Sequence, residues 1–104
     1  MLFPHRWGSI NMAYEEEVTE LREEINMLDV EIVNRLARRV KVASKIGKVK
    51  KKYGKNVIDK NRESYVYARV RKLAQQCSID PECVEQIYRE VIKFCTNVQW
   101  EEKS

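Results

Sequence analysis

Arg39 and Lys50 stand eleven residues apart in a stretch that contains no proline. Eleven residues make three turns of α-helix, so the two cations point the same way and can approach one ligand from its two ends. Arg39 also falls between Leu36 and Ala43, on or beside an apolar stripe, where a cation needs an anion. That anion can be a ligand. Equally, the guanidinium can extend to solvent or pair with a carboxylate of a partner helix. Asp59, Arg62 and Glu63 follow at i, i+3 and i+4, one face at the start of a second helix and close in sequence to Lys50. Such an arginine–carboxylate cluster can orient a polyhydroxylated acid, and it can also be a cap with a surface ion pair. Cys95 and Gln99 share a face one turn apart, and Val98 and Trp100 put the neutral Gln99 donor near apolar surface. Taken singly, Cys95 reads as a small core residue and Gln99 as a solvated one.

The element that must position these groups is the stretch Glu15 to Tyr53, which reads as one helix of roughly 57 Å at about 1.5 Å per residue. Its residues Val18, Leu21, Ile25, Leu28, Ile32, Leu36, Val40, Ala43 and Ile46 step by three and four, the signature of a buried helical stripe. Its charge is lopsided. Ala13 to Glu31 holds eight acidic residues against Arg22 alone, whereas Arg35 to Lys55 holds ten basic residues and no acid. The helix macrodipole fades within a turn and does not explain poles of that length. Two copies laid antiparallel place acid against base and cover the stripe, which predicts a homodimer built on this helix. Arg22 lies seventeen residues before Arg39, roughly 25 Å along the helix and about 100° around it, out of reach of the same small ligand within one chain. In an antiparallel dimer crossing near Val30, Arg22 of one chain comes opposite Arg39 of the other.

The rest of the chain is punctuated clearly. Gly54 suits a helix C-cap and Asn56 tolerates a left-handed turn; Asp59 then caps a second helix to about Gln76, with Tyr65, Val66, Arg69, Val70 and Leu73 on one side. After a break at 77–79, Asp80-Pro81 opens a third helix, with a stripe of Val84, Ile87, Tyr88, Val91, Phe94 or Cys95, and Val98. Glycine is scarce, with three residues in 104, proline is scarcer with two, and alternating β-branched runs are few, so the expectation is an all-α, three-helix chain. A core this thin gains burial by oligomerising. Residues 1–14 read as a flexible N-terminal tail, with Met12 an alternative start, and 15–104 as the helical domain. The tail lacks the apolar run of a secretory signal, and no segment is long enough to span a membrane. Cys77, Cys83 and Cys95 are odd in number and lack metal spacing, which suggests reduced thiols in a cytoplasmic protein and no metal site. The net charge of +4 is concentrated in one segment, so the expected partner is a small anion rather than nucleic acid or membrane.

Leu21-Arg22-Glu23-Glu24-Ile25 with Leu28-Asp29, Ala37-Arg38-Arg39, Gly47-Lys48-Val49-Lys50, Val57-Ile58-Asp59 with Arg62-Glu63, and Gln99 together resemble the all-helical, AroQ-type chorismate mutases, in order and at family spacing. The resemblance implies an intertwined homodimeric helical bundle with two sites, each completed by an arginine of the other subunit. It implies the Claisen rearrangement of chorismate to prephenate on the route to phenylalanine and tyrosine, a unimolecular reaction without nucleophile, metal or organic cofactor. By that resemblance, Arg22 of the partner chain and Arg39 bind the two carboxylates of the substrate, and Lys50 and Gln99 donate to the ether oxygen. Glu63 accepts from the ring hydroxyl, Asp59 lines the same end, and Arg62 supports the ring carboxylate or orients Glu63. Cys95 departs from the pattern, since the family often has a serine there, and a thiol is a weaker donor. With no appended dehydratase or dehydrogenase domain, the chain looks monofunctional.

Two other readings compete. An isochorismate pyruvate lyase shares the fold and most of the cationic positions. A dimeric helical nucleic-acid or protein-interaction module would use Lys45, Lys48, Lys50, Lys51, Lys52 and Lys55 as a basic patch, and would leave Arg22, Glu63 and Gln99 without a role.

Overall fold

A computed structural model describes the backbone course of residues 2–103 and the side chains of residues 12–102. Three helices account for the fold: α1 over Leu2–Lys52, α2 over Lys60–Gln76 and α3 over Pro81–Lys103. The expected all-α, three-helix chain is therefore what the protein forms. Helix α1 begins well before Glu15, and α3 continues past Trp100 to Lys103. The reading of 1–14 as a flexible tail falls mostly on residues 1–11, whose side chains lie outside the described ones.

The chain divides into two compact units, Met1–Arg35 and Leu36–Ser104. The described part of the first unit is helix alone. Its stripe residues Leu21, Ile25, Leu28 and Ile32 are all exposed, because a single helix has nothing within its own unit to pack on. The second unit holds the core: Ala43 from α1, Val57 from the α1–α2 loop, Val66, Val70 and Ala74 from α2, and Cys95 from α3. The buried face of α2 is thus Val66, Val70 and Ala74, at i, i+4 and i+8. Tyr65 and Leu73, expected on that face, are exposed in the chain. On α3 the alternative between Phe94 and Cys95 resolves to Cys95, with Phe94 and Ile87 exposed.

The helix ends follow local chemistry. At the end of α1 the Lys55 amide donates to the Lys50 carbonyl at 2.8 Å and the Gly54 amide to Lys51 at 3.3 Å, with Gly54 at φ 63°. This is the Schellman closure, which needs a left-handed residue and favours glycine there. It aims the chain back so that Val57 reaches the core. Asn56 is not left-handed; the other positive φ belongs to Ser78, at 59°, in the α2–α3 turn. Asp59 caps α2, its carboxylate accepting from the Arg62 amide at 3.0 Å. Asp80 does the same for α3 through the Glu82 amide at 2.9 Å. That bond, followed by one from the Cys83 thiol, holds the Asp80 carboxyl below the usual carboxylate range.

Away from these caps, α2 and α3 are clasped by charge. Arg71 donates to Glu82 at 2.9 Å and to Glu85 at 3.0 Å, and Arg89 donates to Glu85 at 2.6 Å while lying over the Tyr67 ring, 4.5 Å from its centroid. Hydrogen bonds from Arg89 and then Arg71 keep the Glu85 carboxyl below its ordinary value.

Candidate active site

The second unit encloses a cavity of about 430 Å³, within the range of small-molecule sites. Helix α1 contributes Arg39 and Lys50, the start of α2 contributes Asp59, Arg62 and Glu63, and α3 contributes Cys95 and Gln99. Seven of the eight positions singled out from the sequence therefore line one space. The eighth, Arg22, lies exposed in the first unit and is not part of this lining.

Lys50 is the centre of the arrangement. Its ammonium donates to the Val57 carbonyl at 2.7 Å and to Gln99 Oε1 at 2.7 Å. An ammonium has three protons, so one remains for a ligand. The bond to Gln99 also fixes which way that amide faces, since its oxygen is held by the cation and its NH2 is the end left to donate. Gln99 is only 9% exposed. Read on its own it is a solvated residue; in place it is a buried polar group held by a half-buried cation, as its burial requires.

Arg39 is half-buried, and among the described residues it forms no salt bridge with a carboxylate. Its Nη1 donates to Cys95 Sγ at 3.1 Å, and its guanidinium carbon lies 5.8 Å from the centre of the Tyr88 ring. A thiol acceptor and a ring face leave the guanidinium with most of its five donors unspent. Cys95 is buried and lines the cavity as well, so it is core residue and wall together. At the far end, Asp59 is the α2 cap and a wall residue at once. Arg62 lies 5.0 Å from the centre of the Tyr65 ring, and Glu63, held at the first turn by its amide bond to the Asp59 carbonyl at 3.0 Å, is partly buried.

Sequence reasoning placed Ile46 and Val66 on apolar helix faces without assigning them to a site, and it missed Val42, Ile92 and Thr96, which complete the cavity wall. Ile92 and Thr96 stand one turn apart and bracket Cys95, a spacing that carries the signal once Cys95 is known to face inward. It also missed the close approach of Gly47 to the Gln99 backbone. The charged lining comprises three cations, Arg39, Lys50 and Arg62, and two carboxylates, Asp59 and Glu63, a net single positive charge in a partly apolar space. Such a space can receive a small, polar anion, with charge-assisted hydrogen bonds at its ends and paired donors in its middle.

Residues 21–100 match the family model for chorismate mutase type II, and the chain belongs to that family. Among its relatives, a chorismate mutase of Methanocaldococcus jannaschii is 30% identical over 78 residues, covering 75% of this chain and 79% of that protein. A bifunctional chorismate mutase/prephenate dehydratase of Aquifex aeolicus is 33% identical over 87 residues, 81% of this chain. A T-protein of Enterobacter agglomerans is 31% identical over 77 residues, 74% of this chain. The matched part of this chain spans only 24% and 21% of the length of these last two proteins.

Proposed function

We propose that this protein is an isomerase that converts chorismate to prephenate in phenylalanine and tyrosine biosynthesis, working as a homodimer in the cytoplasm. The observation that carries the reading is the Lys50–Gln99 pair, locked at 2.7 Å on the wall of a cavity that Arg39 shares. In the rearrangement the ether bond to the ring carbon breaks as a carbon–carbon bond forms, and negative charge grows on the ether oxygen. The free proton of Lys50 and the NH2 of Gln99 are donors held in place before that charge appears, so they cost little reorganisation when it does. Arg39 takes one carboxylate, and its remaining donors suit a bidentate contact. Glu63 accepts the ring hydroxyl, Asp59 and Arg62 complete that end, and Cys95 supplies shape beside Arg39. Holding the two reacting arms together contributes the orientational part of the acceleration.

The charge balance supports the second subunit. Chorismate is a dianion, and the lining of one chain is net positive by a single charge. Arg22 of the partner subunit supplies the second charge in this reading. A second copy would also cover the exposed Leu21, Ile25, Leu28 and Ile32, and pair the acidic start of the stripe with its basic end. Among the described residues no helix is long and apolar enough to cross a membrane.

The test is to incubate purified protein with chorismate and, separately, with isochorismate, identifying the products of each. Prephenate from chorismate is the expected outcome. Pyruvate release from isochorismate without prephenate from chorismate would assign a lyase instead, and turnover of neither would overturn the reading. Sedimentation should give a dimer; a monomer that is active at assay concentration would refute the shared site.

A further inference from the structure

Gly47 sits in the interior of α1, where glycine weakens a helix by about 1 kcal/mol relative to alanine. The contact around it accounts for its presence. A Cβ at this position would lie 2.9 Å from the Gln99 Cα, 3.2 Å from the Gln99 carbonyl oxygen and 3.2 Å from the Glu102 Cβ. The nearest of these are backbone atoms, which do not swing aside. Ser44, one turn earlier on the same face, donates to Glu102 Oε1 at 2.7 Å, and Lys50, three residues after Gly47, donates to Gln99 Oε1 at 2.7 Å. Ser44, Gly47 and Lys50 thus form a single strip that meets Gln99 and Glu102, with the bare glycine in the middle.

From this geometry we infer that Gly47, together with the Ser44–Glu102 hydrogen bond beside it, is a positioning element: it sets the spacing of α1 and α3 at which the Gln99 amide meets Lys50. The inference rests on the mutase reading above and deepens it by naming what holds the donor pair in register. Carbon atoms in ordinary contact lie about 3.5–4.0 Å apart. A methyl at position 47 therefore pushes the Gln99 backbone away by roughly 0.6–1.1 Å. A displacement of that size along the 2.7 Å bond to Lys50 stretches it to roughly 3.3–3.8 Å, from a weakened hydrogen bond to none. Misplacement by about 1 Å at a reacting centre costs on the order of 100-fold.

The experiment is steady-state kinetics on Gly47→Ala in the full chain, in the parental and Gln99→Ala backgrounds, with Lys50→Ala as the control. Expected for Gly47→Ala are an unchanged helical signal and dimer, a kcat lower by about 10–100-fold, and a KM within about threefold. In the Gln99→Ala background the same change should cost no more than about threefold, because the group it misplaces is already gone. A purely structural role would lower activity equally in both backgrounds, and that result, or a parental kcat for Gly47→Ala, overturns the inference. If Gly47→Ala does not fold, Ser44→Ala takes its place. It removes only the flanking hydrogen bond and should lower kcat by about 3–10-fold, an effect that disappears in the Gln99→Ala background; an unchanged kcat overturns the inference in that case. The control keeps the two levels apart: if the parent turns chorismate over but Lys50→Ala retains parental activity, the assignment of the Lys50–Gln99 donor pair itself fails, whereas an inactive Lys50→Ala beside a fully active Gly47→Ala removes only the role of Gly47.

Discussion

Replacing Lys50 by alanine removes three things at once, and each has a size. The first is the proton that faces the cavity. Deleting one preorganised donor to a developing oxyanion costs about 100- to 1,000-fold in kcat, or roughly 2.7–4 kcal/mol. The second is the hold on Gln99, whose Oε1 loses its 2.7 Å partner, so the amide is free to rotate and the second donor is blurred with the first. The third is structural. The Val57 carbonyl loses a 2.7 Å charged donor, but the cavity admits water, which recovers much of that bond. The net cost to stability should be about 1–2 kcal/mol, lowering the melting temperature of a chain this size by about 5–10 °C. Kinetics at 25 °C with product identification, alongside a thermal melt, measure all three. Because Lys50 and Gln99 are hydrogen-bonded to each other, Lys50→Ala/Gln99→Ala should be no more than a fewfold slower than Lys50→Ala alone. A kcat within a fewfold of the parent, or losses that simply multiply in the double variant, would refute the reasoning.

Three further outcomes follow from other parts of the molecule. Arg22→Ala and Lys50→Ala should each be nearly inactive, yet co-refolding them in equal amounts should restore about a quarter of parental activity, since half of random dimers are mixed and each has one intact site; mixed dimers with no gain would rule out a shared Arg22. Gln99→Glu should lose activity as pH rises, because only the protonated carboxyl can still donate to the ether oxygen, and a flat profile in that variant would remove Gln99 from the reaction. Glu85, held below its ordinary value by Arg89 and Arg71, contributes stability that is fully present above the unfolded carboxylate value of about 4.3 and is lost as pH falls through its lower folded value. The melting-temperature gap between parent and Glu85→Gln should accordingly close on acidification below that value, and a gap as wide at low pH as at neutral pH would contradict the assignment.

Much of this was legible from residue types. Asp59, Gly54 and Asp80-Pro81 are local signals, each satisfied by backbone within a turn, and they marked the helix junctions where the caps and the Schellman closure lie. The periodic stripe of α1 was equally plain, because a helix repeats on a scale that sequence shows. What periodicity does not carry is the spacing between helices. Nothing in the neighbours of Gln99 distinguishes a solvated amide from one held by Lys50 forty-nine residues away. The face of α2 was judged only in part: Val66 and Val70 are buried as expected, but the small Ala74 completes that face while the larger Tyr65 and Leu73 are exposed in the chain. Arg39 illustrates a third case. The sequence left it a choice of an anionic ligand, solvent or a carboxylate of a partner helix, and its companions within the chain, a thiol and an aromatic ring, are poor competitors for an anion.

Gly47 has a practical consequence for anyone who tries to make this protein more robust. A stabilisation campaign guided by helix propensity would choose Gly47→Ala early, since glycine in a helix interior is among the usual targets and alanine gains about 1 kcal/mol there. Here the added methyl meets main-chain atoms of α3 at 2.9 and 3.2 Å, so the propensity gain is set against a helix-to-helix collision. Gly54 is the reverse case: it has open space around it, and its φ of 63° alone makes the exchange a strained one. The two glycines would look alike to a propensity table, and yet one is kept by its neighbours and the other by its own backbone.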